Sequence, residues 1–83
     1  MRAEEFGAWI RRQPFEPIRV RLSDGRTYEI SHPDQVIVQR ACIDIGIPVS
    51  QDSPVMDRVD RCSLLHVVSI EPLNAEGRKD NPN

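Results

Sequence analysis

The sequence predicts a mainly β fold with one N-terminal α-helix, arranged as a small, strongly bent five-stranded barrel. Three observations carry that prediction. Two alternating apolar runs, 18–22 and 26–30, flank Ser23-Asp24-Gly25. Short apolar runs recur downstream at 36–38, 42–47 and 67–70, and the one clear helical spacing, Phe6, Trp9 and Ile10, lies at the start. A chain of 83 residues has room for a single small domain, assigned to residues 1–73, with 74–83 as a disordered tail.

The helix is expected over residues 2–13. Phe6, Trp9 and Ile10 share one face, Glu4 and Glu5 sit near the positive end of the helix dipole, and Arg11 and Arg12 sit near its negative end. Gly7 weakens it by about 1 kcal/mol relative to alanine, no strong N-cap residue precedes it, and Pro14 and Pro17 stop it. So short a helix needs the rest of the domain, and its apolar stripe reads as a lid on the core.

The next two runs form a β-hairpin, and its register follows from the pattern. A two-residue Asp-Gly loop sets Val20 opposite Glu29 and Leu22 opposite Thr27, mixing the faces. A three-residue Ser23-Asp24-Gly25 loop instead pairs Ile18 with Ile30 and Val20 with Tyr28 on one face, and Arg19 with Glu29 on the other. That register requires Gly25 in the left-handed conformation.

His32-Pro33-Asp34 interrupts the pattern, with Asp34 expected to bond a nearby backbone amide. Two strands follow at 36–38 and 42–47; Ile43, Ile45 and Ile47 share a face, and Pro48 ends the second. Residues 50–54 have the turn chemistry of a surface loop. Residues 55–62 read as a partly exposed strand, and 67–70 as the last one. Residues 63–66 either begin that last strand or form a one-turn helix, and Pro72 closes the domain. The polar tail at 74–83 has no apolar periodicity.

Helix, hairpin with an Asp-Gly turn, then short strands entered at the end through a tight turn is an element order that resembles the Sm-like fold, and SH3-like topology shares its bent barrel. The polar cluster and key asparagine of an Sm-type RNA site are replaced here by Ser31-His32-Pro33-Asp34-Gln35, and its last-strand turn by Cys62-Ser63-Leu64-Leu65. The RNA-site residues therefore do not carry over. The chain also resembles short uncharacterised bacterial proteins marked by Pro14-Phe15-Glu16-Pro17, Leu22-Ser23-Asp24-Gly25-Arg26 and His32-Pro33, a resemblance that implies no activity.

Composition narrows function further. Eleven basic and 13 acidic residues leave a net charge of −2, so no overall positive field favours nucleic acid or an anionic membrane. No apolar run approaches the length of a transmembrane helix, and Glu4 and Glu5 stand where a signal peptide is basic and then apolar, so the cytoplasm is the expected location. Cys42 and Cys62 read as reduced thiols.

Cys42, Cys62, His32 and His66 supply the inventory of a zinc site. If Cys62 and His66 lie on one strand, however, their α-carbons stand about 13 Å apart, beyond the reach of one tetrahedral ion, whereas a helical turn across 62–66 brings the pair back within reach. Ser31, His32 and Asp34 hold the residue types of a catalytic triad in one short loop, whereas working triads assemble from separated segments around an oxyanion site. No catalytic residue, metal or cofactor is assigned. Arg19 and Arg21 point outward from their strand, and with Arg26 and His32 they are the candidate contacts for a ligand or partner.

The expected function is a non-catalytic interaction module that meets a protein partner, or a second copy of itself, through an open strand edge. The strand containing Ile43, Ile45 and Ile47 is the expected edge. The alternative is a nucleic-acid-binding Sm-like module using the arginine-bearing strand face; scarce exposed aromatics, with only Phe15 expected to be free for stacking, argue against it.

Overall fold

In the computed structural model, which describes residues 1–73, the hairpin adopts the register its alternation requires. Strands β1 (Ile18–Leu22) and β2 (Thr27–Ile30) pair Ile18 with Ile30, Arg19 with Glu29 and Val20 with Tyr28. Gly25 turns the chain at φ +94°, its N–H donating to the Leu22 carbonyl at 3.0 Å. A side chain is disfavoured at that φ, so glycine is the residue this turn needs.

Downstream lie β3 (Val36–Val38), β4 (Cys42–Pro48), β5 (Met56–Ser63) and β6 (Val67–Pro72), with one-turn 3-10 helices at Pro33–Gln35 and Leu64–His66. The described residues thus hold six strands, where a five-stranded barrel is expected. They form two antiparallel three-stranded sheets, ordered β2-β1-β6 and β3-β4-β5. The chain passes from one sheet to the other twice, between the edge strands β2 and β3 and between the edge strands β5 and β6. Each passage occurs at one of the 3-10 turns. The tail expected at 74–83 lies outside the described residues.

Two expectations are corrected by this topology. The apolar strand carrying Ile43, Ile45 and Ile47 is β4, hydrogen-bonded on both sides by β3 and β5, so it is a centre strand and not an edge. Its Ile43 and Ile45 are fully buried, as a strand covered by neighbours and core permits. Helix α1 spans Ala3–Ile10, shorter than the expected 2–13. Arg11 closes it by donating its N–H to the Gly7 carbonyl, and the restriction that Pro14 places on Gln13 keeps the chain from continuing as helix.

The core sits between the sheets and beneath the helix. Phe6, Ile18, Val20, Ile30, Ile43 and Ile45 expose none of their surface, and Leu22, Cys62 and Leu64 expose almost none. Phe6 is the one fully seated residue of α1; Trp9 and Ile10 pack against the core from its margin, confirming the stripe as a lid. Phe15, expected free, also packs partly against the core.

The corner between β2 and β3 is held by Gln35, the one buried polar residue among those described. Its Oε1 accepts from the Ser31 and His32 amides at 2.8 and 3.3 Å, while its Nε2 donates to the Glu29 and Gly46 carbonyls at 3.2 Å each. The local backbone bond expected of Asp34 is made by this glutamine instead. Its longer side chain reaches from the turn into both sheets, which an exposed aspartate at the turn does not do.

Candidate functional site

Alternation along β1 brings Arg19 and Arg21 to the outer face of the first sheet, and the neighbouring strands supply acids to both. Arg19 pairs with Glu29 on β2 at 3.0 Å, and Arg21 with Glu71 on β6 at 3.5 Å. Arg26, just beyond the hairpin turn, is held by Asp24 at 2.8 Å. Arg19 and Arg21 thus belong to cross-strand ion pairs, and Arg26 to a local pair within the hairpin turn. A phosphate approaching these arginines meets Glu29, Glu71 and Asp24 beside each guanidinium, so the face is compensated rather than anion-seeking.

His32 lies elsewhere, in an open cleft of about 760 Å³ between the β2–β3 corner and the loop joining β4 to β5. Its Nε2 stands 3.9 Å from Asp52, which the loop places at φ +68°, and Glu29, Asp34, Ser31 and Ser50 complete the polar wall. At that distance imidazole and carboxylate do not share a hydrogen bond. None of the three arginines lines this cleft, and Glu29, the partner of Arg19, is the residue that the cleft and the arginine face share.

The zinc inventory is dispersed as well. Cys62, one residue before the end of β5, is buried in the core, and the chain then turns through Leu64–His66, so the one-turn helix is the alternative found for residues 63–66. His66 is exposed, with Nδ1 3.3 Å from the Ser23 hydroxyl. Among the described residues no three His, Cys, Asp or Glu side chains converge on a point. Both cysteines are free; burial pushes the Cys62 thiol up, away from the reactive thiolate.

Between the sheets runs a polar relay that the sequence did not announce. Arg26 donates to the Tyr28 hydroxyl at 3.1 Å, Tyr28 donates to Asp60 on β5 at 2.7 Å, and Arg58 donates to the other Asp60 oxygen at 3.0 Å. The Tyr28 and Arg58 bonds hold the Asp60 carboxyl below the usual carboxylate range. Burial, and then the bond to anionic Asp60, push the Tyr28 phenol up to about 12.

Tyr28 is the only tyrosine, so near-ultraviolet absorbance titrates it alone. A midpoint near 12 is expected, falling in Asp60→Asn. Because the folded pKa exceeds the unfolded value near 10, the associated stability is complete below pH 10 and is lost as pH rises through 12, a loss of about 2 to 3 kcal/mol. A midpoint near 10 in the folded protein would show that the phenol is neither buried nor bonded.

A further surface is made by β5. Its inner register partners are Cys62 with Ile43 and Asp60 with Ile45; on the outer face Arg61 meets Asp44 in a two-point ion pair, and Val59 stands opposite Gly46. Among the described residues β4 is the only strand paired with β5. The Leu64 amide donates to Ala41 at 3.0 Å, directly in the β4–β5 register. Counting back by twos, Cys62, Asp60 and Arg58 spend their backbone groups on β4, while Arg61 and Val59 turn theirs toward the other side; the alternation stops at Asp57, where the register shifts between Ile47 and Pro48. Val55, Met56 and Val59 expose apolar surface along this edge, Val59 at 61%. Sequence reading found β5 as a partly exposed strand but not as an edge; its four charged residues flanking Val59 were the available signal.

No protein-family model, curated protein or solved structure matches the chain. Among the described residues no helix is long and apolar enough to cross a membrane.

Proposed function

We propose that this protein is a non-catalytic interaction module of the cytoplasm that binds an extended protein segment along the outer edge of β5. The observation that carries the reading is the pair Val59 and Arg61, whose backbone groups face away from β4 beside exposed Val55, Met56 and Val59. An added strand satisfies those groups through its own main chain and covers the apolar side chains. The two passages between sheets, each joining edge strand to edge strand at a 3-10 turn, fit a strongly bent barrel of Sm-like or SH3-like type carrying that edge. Free Cys42 and Cys62 suit a reducing compartment. The nucleic-acid alternative draws less support, since Arg19, Arg21 and Arg26 each have a carboxylate at hand.

Peptides selected from a random library for binding are expected to slow amide exchange at Val59 and Arg61. Val59→Pro removes an outward-facing N–H without breaking the ladder to β4, and is expected to abolish that binding while the fold persists. Binders that protect other segments would overturn the reading. So would salt-sensitive binding of single-stranded RNA or DNA that disappears in the Arg19→Ala, Arg21→Ala double variant.

A further inference from the structure

We infer that the occupant of the β5 edge is β5 of a second copy, paired antiparallel about a two-fold axis through Val59 to make one continuous six-stranded sheet from two β3-β4-β5 sheets. The inference rests on the edge reading above and deepens it by naming the partner. Its basis is the order of charges in Asp57-Arg58-Val59-Asp60-Arg61. Laid antiparallel on itself with Val59 opposite Val59, this segment sets Asp57 opposite Arg61 and Arg58 opposite Asp60, on both sides of the axis. All four cross-strand charge pairs are then of opposite sign, and the central pair joins two side chains that each expose 61% of their surface.

The backbone selects the same register. Residues whose N–H and C=O face outward must oppose one another, which admits axes at Arg58, Val59 or Asp60 and excludes the half-steps between them. An axis at Arg58 sets two arginines face to face, and one at Asp60 sets two aspartates face to face. Only the axis at Val59 opposes unlike charges throughout. Edge charges ordinarily discourage strand addition. Here their order discourages the neighbouring registers and favours one.

In the single chain Asp57 makes no hydrogen bond or salt bridge among the described residues, whereas Arg61 is held by Asp44 at 2.8 Å and Arg58 by Asp60 at 3.0 Å. Pairing therefore gives Asp57 a partner and keeps the two arginines where the pairing needs them. A two-fold pairing is closed, so the assembly stops at two copies.

Light scattering across a wide concentration range is expected to show the 9.5 kDa chain passing to twice that mass and no further. In a Cys42→Ser background that leaves buried Cys62, Val59→Cys is expected to cross-link to itself on oxidation. Asp57→Cys alone is not, but Asp57→Cys mixed with Arg61→Cys is, because those positions oppose each other. Asp57→Arg, which breaks no hydrogen bond or ion pair among the described residues and removes only a through-space attraction to Arg58, is expected to weaken the dimer about tenfold by acting on two symmetry-related pairs.

A monomer at every concentration, a ring-sized mass, or a dimer indifferent to Asp57→Arg would each overturn the self-pairing. A monomer that still binds peptides with protection of Val59 and Arg61 removes the second copy and leaves the edge reading in place. A monomer without that protection removes both.

Discussion

Phe6→Ala is expected to lower stability by about 3 to 5 kcal/mol, the range for emptying a large aromatic site in a core. A domain of this size is held by roughly 4 to 12 kcal/mol in all, so one substitution consumes much of its margin. Phe6 is fully buried and is the only buried residue of α1, an eight-residue helix that is too short to persist alone. Its loss is therefore expected to release the helix before the sheets. Trp9, the single tryptophan, lies on that helix and reports its docking by fluorescence, while far-ultraviolet circular dichroism also reports the sheets. Urea unfolding of Phe6→Ala is expected to show the fluorescence transition first, with Phe6→Leu showing a smaller loss and coincident transitions. A loss below about 1 kcal/mol with both probes coincident would mean that the helix is not anchored by this ring.

The helix and hairpin were legible because their information is local. Phe6, Trp9 and Ile10 repeat at helical spacing, and the alternation of Ile18, Val20, Tyr28 and Ile30 admits only one loop length. Position within a sheet is not local: Ile43, Ile45 and Ile47 show that a strand is apolar, but whether it is central or at an edge depends on partners from distant segments. The same limit applies to the candidate contacts. Alternation correctly sends Arg19 outward and opposite Glu29, but Arg21 finds Glu71 only because β6 returns beside β1, 50 residues later in the chain. Gln35 gave no signal, since a glutamine near a proline turn is usually solvated. What distinguishes it is where the carbonyls of Glu29 and Gly46 end up after folding.

Gln35→Leu is expected to cost about 2 to 4 kcal/mol, because the isobutyl group fills part of the space and satisfies none of the four backbone groups that the amide serves. The Ser31 and His32 amides lie nearer the cleft and gain partial relief from water, whereas the bond to the Gly46 carbonyl is buried between the sheets. Gln35→Glu separates this polar role from simple packing. The carboxyl keeps an acceptor for the Ser31 and His32 amides, but its second oxygen replaces an N–H₂ group that sat 3.2 Å from two carbonyls. Ionised, it repels both; protonated, it donates to one. Burial and these carbonyls raise the folded pKa of the new carboxyl above its unfolded value near 4.3. Stability tied to the protonated form is then fully present below pH 4.3 and is lost as pH rises through the folded pKa. The gap between Gln35→Glu and the parent protein should accordingly be smallest near pH 4 and widen toward neutrality, while the Gln35→Leu gap stays level across the same range. Urea midpoints at a series of pH values measure both. Parallel curves for the glutamate variant, or a leucine variant within about 1 kcal/mol of the parent, would show that the corner between the sheets stands without this side chain.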